Sequence, residues 1–209
     1  MSKKTIYIVR HGETEFNRQG IIQGSGVDSA LNATGHRQAQ AFFEHYRDVP
    51  FEAVLTSRLQ RTHQTVRPFI ETGLPWEQFA EINEMNWGVH EGKESTPAMI
   101  EEYNAIKSEW GNGNYAARIE GGESAAELAE RIHRFVDHLR QREEELLLVC
   151  SHGRAMSALM SVLRREELRY MNKYIHHNTG LWKTHFSDGA FHFEIENDTQ
   201  HLGTVNEKR

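Results

Sequence analysis

One cysteine, four prolines and no long apolar run set the first limits on this chain of 209 residues. Cys150 stands alone and cannot close an intrachain disulfide, so packing must hold the fold, and a cytoplasmic location is the simplest expectation. No stretch approaches the roughly 20 apolar residues that span a bilayer. Met1-Ser2-Lys3-Lys4 runs straight into a strand pattern, without the apolar segment and small-residue cleavage site of a secretory leader. Positive charge is also short: 24 Lys and Arg against 30 Asp and Glu give a formal net charge of −6. The basic residues are scattered, which argues against a nucleic-acid partner. Internal repeats and low-complexity tracts are absent. The length suits one well-buried core, so 1–209 reads as a single domain with a frayed tail at about 204–209.

Two apolar runs of strand length each end on a histidine followed by a glycine. Thr5-Ile6-Tyr7-Ile8-Val9 leads into Arg10-His11-Gly12, and Leu146-Leu147-Leu148-Val149-Cys150 leads into Ser151-His152-Gly153. In an open parallel sheet both endings can reach one carboxyl edge, where α/β folds place their chemistry. Between them strands and helices alternate. Residues 19–31 read as a loop, and Asn32 N-caps a helix whose Ala39, Phe42, Phe43 and Tyr46 recur at helical spacing. A strand over 51–56 precedes a helix capped by Ser57 and carrying Arg58, Arg61 and His63, which Pro68 should kink or end near Arg67. Residues 79–82 read as a short edge strand, and Thr96-Pro97 starts a helix to about Trp110. Ser124-Ala125-Ala126-Glu127 forms a capping box ahead of a core-facing helix, and a further helix covers 153–163. Segments 180–186 and 190–195 make a late hairpin across Asp188-Gly189. The pattern predicts an α/β fold, a mostly parallel central sheet flanked by helices on both faces, with a late antiparallel addition.

Converged on one sheet edge, these residues suit an anion. Arg10 and Arg61 carry forked donors that match phosphoryl oxygens, and the helix starting at Gly153 offers a positive dipole end. Neighbouring cations oppose protonation of an imidazole, which keeps one histidine neutral and nucleophilic while the other donates to developing charge. A leaving alkoxide also needs a proton. Glu84, in the irregular loop before Trp87-Gly88, is the candidate donor, since a carboxyl beside a bound phosphate holds its proton more firmly. Cys150 reads as a small core residue, Arg58 as a rim residue, and His176-His177 as a solvated or hydrogen-bonding pair rather than a metal site. Glu13, Gln23 and Lys93 lie near the expected mouth, open between substrate contact and loop structure.

Taken in order, Arg10-His11-Gly12-Glu13-Thr14, Thr56-Ser57-x-Leu59-x-Arg61-Thr62-x-Gln64-Thr65, Glu84-x-x-x-Gly88-x-x-Glu91-Gly92, Gly121-Gly122-Glu123-Ser124 and Ser151-His152-Gly153 resemble the histidine phosphatase superfamily, or phosphoglycerate mutase-like family. The likeness runs from about residue 6 to 202, ending on Asn197-Asp198-Thr199-x-His201-Leu202. It implies His11 as phosphoryl-accepting nucleophile, Arg10, Arg61 and His152 around the phosphoryl group, and Asn17 as a further phosphate contact. It also implies a Gly12 carbonyl that orients the His11 ring, Glu84 as proton donor, and Gln23, Gly24 and Gly153 on the substrate side. Neither metal nor cofactor is implied.

The resemblance leaves three activities. Hydrolysis of a small phosphate monoester leads, with Glu84 later activating water. Cofactor-dependent phosphoglycerate mutases carry a Tyr three residues after the acid and an Arg pair in the following insertion. Here Trp87 takes the Tyr place, and 93–123 holds Arg118 but no Arg pair. A small protein phosphohistidine phosphatase usually has a reduced insertion, whereas the long 93–123 segment suits a lid over a small molecule, and every matched catalytic position is filled, which argues against a non-catalytic adaptor. Trp87, Met99, Tyr103, Trp110 and Tyr115 supply its apolar material, or simply core. Oligomeric state has no signature in the chain.

Overall fold

The computed structural model describes residues 3–203. Six strands form one sheet in the order β3 (Trp76–Gln78), β2 (Ala53–Thr56), β4 (Leu146–Ser151), β1 (Lys4–Arg10), β5 (Leu181–Ser187), β6 (Ala190–Asp198). The pairings among β3, β2, β4 and β1 are parallel, whereas β5 and β6 are antiparallel additions at one edge. The expected α/β architecture is therefore present, with a hairpin as its late antiparallel part.

Period-two alternation in the central strands explains why both faces are covered. Ile6, Ile8, Leu147 and Val149 point into a core built with α5 (Ala125–Gln141) and α6 (Gly153–Leu163). Val9, Leu148 and Cys150 point the other way, against Phe42 and Tyr46 of α2 (Ala33–Tyr46) and Val66 and Phe69 of α3 (Gln60–Ile70). Cys150 is a core residue, and burial pushes its thiol pKa up. Helix α2 starts on the expected Asn32 cap, and α5 starts on the expected capping box at Ser124. Gly35 lets α2 approach the loop after β1, for a Cβ there would lie 2.1 Å from the Glu13 carbonyl oxygen. In the hairpin, Asp188 and Gly189 both take positive φ, as a tight primed turn requires.

Three local readings need correction. Helix α3 passes through Pro68 and ends at Ile70, because a proline in the last turn removes only one donor while Glu71 N–H still reaches the Arg67 carbonyl at 2.9 Å. The edge strand lies at Trp76–Gln78, and Ala80–Ile82 is a 3₁₀ turn, since that segment leaves the sheet to carry the chain toward Glu84. Leu59, without a side-chain cap, precedes α3, so Ser57 is not its cap. The 19–31 loop is preceded by a short helix, α1 (Glu15–Gln19), with a capping box between Thr14 and Asn17. Helix α4 (Pro97–Gly111) matches its expected span and lies in the long insertion. Among the described residues no helix is long and apolar enough to cross a membrane. The expected tail at about 204–209 lies outside them.

Burial lowers the pKa of two histidines outside the sheet edge that carries His11 and His152, His176 to about 3 and His201 to about 4. An unfolded chain protonates them near 6.5, so below that pH it binds more protons than the native state. Stability should therefore fall as pH drops from about 6.5 toward 4, by up to about 1.4 kcal/mol per pH unit for each ring. Denaturant melts across that range check this, and His201→Asn should flatten the slope; an unchanged slope contradicts the assignment for His201.

Candidate active site

Register between β1 and β4 assembles the site. Arg10 pairs with Ser151, so His11 and His152 follow at the same level, and their ring centroids lie 5.1 Å apart. Strand β2 ends beside them, where Ser57 N–H donates to the Cys150 carbonyl at 3.3 Å. Both imidazoles are almost wholly buried. His11 Nδ1 donates to the Gly12 carbonyl at 2.7 Å, the orientation expected for that carbonyl, and this leaves the Nε2 lone pair outside the bond. Burial, then Arg61 and Arg10, hold its pKa well below the usual imidazole range.

Protons around His152 can be counted to closure. Arg61 Nε–H donates to Nδ1 at 3.1 Å, so the ring's own hydrogen sits on Nε2, which meets Ser57 Oγ at 2.8 Å. Ser57 Oγ also accepts from Leu59 N–H at 3.0 Å. Thr62 donates to the Leu59 carbonyl at 2.8 Å, which leaves the Ser57 hydroxyl to donate to Thr62 Oγ1 at 3.0 Å. Every donor has one acceptor, and the ring is held neutral. Burial and Arg61 lower its pKa in the same direction. In this state His152 supports Arg61 and donates to Ser57.

The guanidiniums are buried with little anionic compensation. Arg61, fully buried, places Nη1 on the Val27 carbonyl at 2.7 Å and Nη2 on the Gly24 carbonyl at 3.4 Å. Burial lowers its pKa to about 10 despite Glu84, Asp28 and Glu91. Arg10 bonds the His176 carbonyl at 2.7 Å, while its buried Nε has no protein partner. Burial lowers the Arg10 pKa as well. Glu84 lies at the start of α6: Oε1 accepts from Met85 N–H at 2.8 Å and Ala155 N–H at 3.0 Å, and Oε2 from Arg154 N–H at 3.1 Å. These first N–H groups of α6, expected to face the incoming anion, are taken by the carboxylate instead. Gly153 lies between the two charges, since a Cβ there would stand 3.6 Å from Arg10 Nε and 3.8 Å from Glu84 Oε2.

The outer candidates divide. Asn17 Oδ1 accepts from Thr14 N–H at 3.2 Å and is reached by Asn178 Nδ2 at 3.5 Å; the same Asn178 amide donates to the His11 carbonyl at 2.9 Å. Gln23 accepts from the hydroxyls of Thr14 and Ser29. Gly24 must be glycine because Glu91 fills the space beside it, with Oε1 1.8 Å from a Cβ placed there. Glu13 accepts from Asn32 Nδ2 at 2.8 Å in the loop, and Arg58 is exposed on the rim. His176 is buried with neither ring nitrogen bonded, so the solvated-pair reading fails for it; Trp182 packs on the ring at 5.3 Å. Among the described residues no cluster of three or more His, Cys, Asp or Glu is placed to hold a metal.

Sequence reasoning missed the supports. Arg131 ties the acid loop down, donating to the carbonyls of Glu81 at 2.6 Å, Asn83 at 2.8 Å and Glu84 at 3.2 Å while pairing with Glu123 at 2.6 Å. Glu91 joins that loop to the mouth, accepting from Trp87 N–H and Gly26 N–H, both at 2.8 Å. Glu91 and Glu123 stand within the quoted motifs, which signalled their presence but not their partners.

A family model described as histidine phosphatase superfamily (branch 1) matches residues 6–199. A protein named probable phosphoglycerate mutase GpmB from Salmonella choleraesuis is 33% identical over 160 residues, covering 76% of this chain and 74% of the relative. The alpha-ribazole phosphatase from Shigella flexneri superposes with a TM-score of 0.82 at 26% identity, covering 93% of this chain and 96% of that one. A phosphoserine phosphatase mutant from Entamoeba histolytica, solved with phosphoserine, gives 0.81 at 26% identity over 97% and 100% of the two chains. With the motifs in order, the strand ends in register and this match across almost the whole length, the chain belongs to the histidine phosphatase superfamily.

Proposed function

We propose that the protein hydrolyses a small phosphate monoester through a phosphohistidine on His11. The observation that carries this reading is a neutral, buried imidazole whose Nδ1 is bonded to the Gly12 carbonyl, set beside guanidiniums that the protein leaves incompletely paired. His11 Nε2 attacks phosphorus, the ester P–O bond breaks, and Glu84 gives its proton to the leaving oxygen. Water then attacks phosphorus, Glu84 takes a proton back, and the N–P bond breaks to release inorganic phosphate. Arg10, Arg61 and His152 surround the phosphoryl group, with Asn17 and Gly153 at its edge. Arg10 Nε, buried without a protein partner, is one donor left to it. His152 would have to leave Ser57 before donating to substrate.

A mutase is the second reading, supported by the name of the Salmonella relative. Trp87 at the Tyr place and the missing Arg pair weigh against it; Arg118 is paired with Glu127 at 2.8 Å. The protein-adaptor reading gains no support from an assembled site of this kind.

Quenching the enzyme during turnover of radiolabelled p-nitrophenyl phosphate should trap an acid-labile phosphoprotein. His11→Ala should abolish the label and lower phosphate release at least about a thousandfold. Label retained by that variant, or turnover that depends on bisphosphoglycerate with negligible phosphate release, overturns the assignment. Nitrogen NMR of the His11 ring should report the neutral, Nδ1-protonated form unchanged between about pH 7.5 and 5.5, a range in which an ordinary imidazole titrates.

A further inference from the structure

The peptide unit that joins His11 to Gly12 is gripped on both of its polar sides. On one side the His11 carbonyl accepts from Asn178 Nδ2 at 2.9 Å, in the turn before β5. On the other, Gly12 N–H donates to Thr65 Oγ1 at 2.9 Å, in the middle of α3. The Thr65 hydroxyl gives its own hydrogen to the Arg61 carbonyl at 2.7 Å, so toward Gly12 it can only accept. With one planar unit held at both ends, the torsions on either side of it, ψ of His11 and φ of Gly12, are set. The next carbonyl along belongs to Gly12 and is the acceptor of His11 Nδ1 at 2.7 Å. Two side chains from separate elements thus place the group that decides which ring nitrogen carries the hydrogen.

Asn178 is itself held at a conformational cost. The turn that carries it is laid on the end of β1: Thr179 N–H donates to the Arg10 carbonyl at 3.0 Å, and the Gly180 carbonyl accepts from Arg10 N–H at 3.3 Å. Thr179 adopts a φ of 55°, a left-handed conformation that a β-branched residue avoids. Its hydroxyl lies 2.9 Å from Nε2 of buried His201, and Asn197 Oδ1 accepts from His177 N–H at 2.9 Å, so β6 and the residues after it pin the turn. A strained backbone persists only where its surroundings over-determine it, and here the strained residue is the one next to Asn178.

Resting on the hydrolase reading above, we infer that Asn178 and Thr65 are a pair of positioning residues acting through one peptide bond: they fix the His11–Gly12 plane so that the Gly12 carbonyl keeps the ring hydrogen on Nδ1 and leaves Nε2 bare for phosphorus. Released on either side, the plane can turn and carry the Gly12 carbonyl away from Nδ1. The Nε2-protonated ring then gains population, and that form has no lone pair at Nε2 for the attack. Because both side chains act on one plane, loosening it twice does little more than loosening it once.

The test reads nitrogen NMR of the His11 ring in the resting protein, and kcat and KM for p-nitrophenyl phosphate, in Asn178→Ala, Thr65→Val and the double variant. The wild type should show the Nδ1-protonated ring, and each single variant a mixture with the Nε2-protonated form. Each should lower kcat at least about tenfold with KM within about threefold, because the loss falls on alignment rather than on binding. The double variant should stay within about threefold of the poorer single one, and Thr65→Ser, which keeps the hydroxyl, should hold both the ring form and kcat within about threefold of wild type. A ring unchanged in the single variants, a loss carried by KM, or costs that multiply in the double variant overturns the proposal. Melting temperatures establish that each variant is folded, and Thr65→Val carries the test if Asn178→Ala does not fold. If no ester is hydrolysed while the variants change the ring form, the hydrolase reading fails and the positioning stands; single variants that hydrolyse at the wild-type rate with an unchanged ring do the reverse.

Discussion

Parallel pairing of β1 with β4 is the constraint on which the rest depends. Because Arg10 pairs with Ser151, histidines 141 positions apart in sequence meet with ring centroids at 5.1 Å, and the end of β2 brings Ser57 to the same edge. A slip of one residue would turn every side chain of the strand to the other face and break both cores at once. The site therefore shares its stability with Ile6, Ile8, Leu147 and Val149 on one side and Val9, Leu148 and Cys150 on the other. Geometry at the edge is enforced by packing well away from it.

Around that edge the protein gathers positive charge and supplies few counter-charges. Arg61 is held by two carbonyls and a neutral imidazole, Arg10 by one carbonyl, and Glu84 is the carboxylate that faces both. Burying guanidiniums this way is unfavourable for the empty protein, and their lowered pKa values record it. On the proposed hydrolase reading, an arriving dianion relieves that cost, so part of the binding energy is stored in the fold before substrate comes. Burial first, and the same field after it, lower the pKa of His11 and His152, which on the proposed hydrolase reading links anion binding to nucleophilicity.

Supports for Glu84 come from elsewhere in the chain. Arg131 on α5 grips the carbonyls of Glu81, Asn83 and Glu84, and α6 fixes both carboxylate oxygens of Glu84 with backbone N–H groups. Helix positions that read as ordinary surface in a sequence thus set the direction of a side chain two elements away. Pro68 and the 79–82 segment mislead for a related reason: the position of a proline within its last turn, and the place where a strand leaves its sheet, depend on neighbours rather than on local propensity.

By itself the sequence determined the strand and helix order, the caps at Asn32 and Ser124, the Asp188-Gly189 turn and the two histidine-bearing strand ends, because each rests on local periodicity or on backbone preferences of a few residues. Only the tertiary structure decided that His152 donates to Ser57, that the start of α6 holds Glu84, and that His176 is buried unbonded. Those facts depend on which donors remain after every neighbour has taken its partner. That allocation is a property of the packed molecule and has no signature in any single stretch of chain.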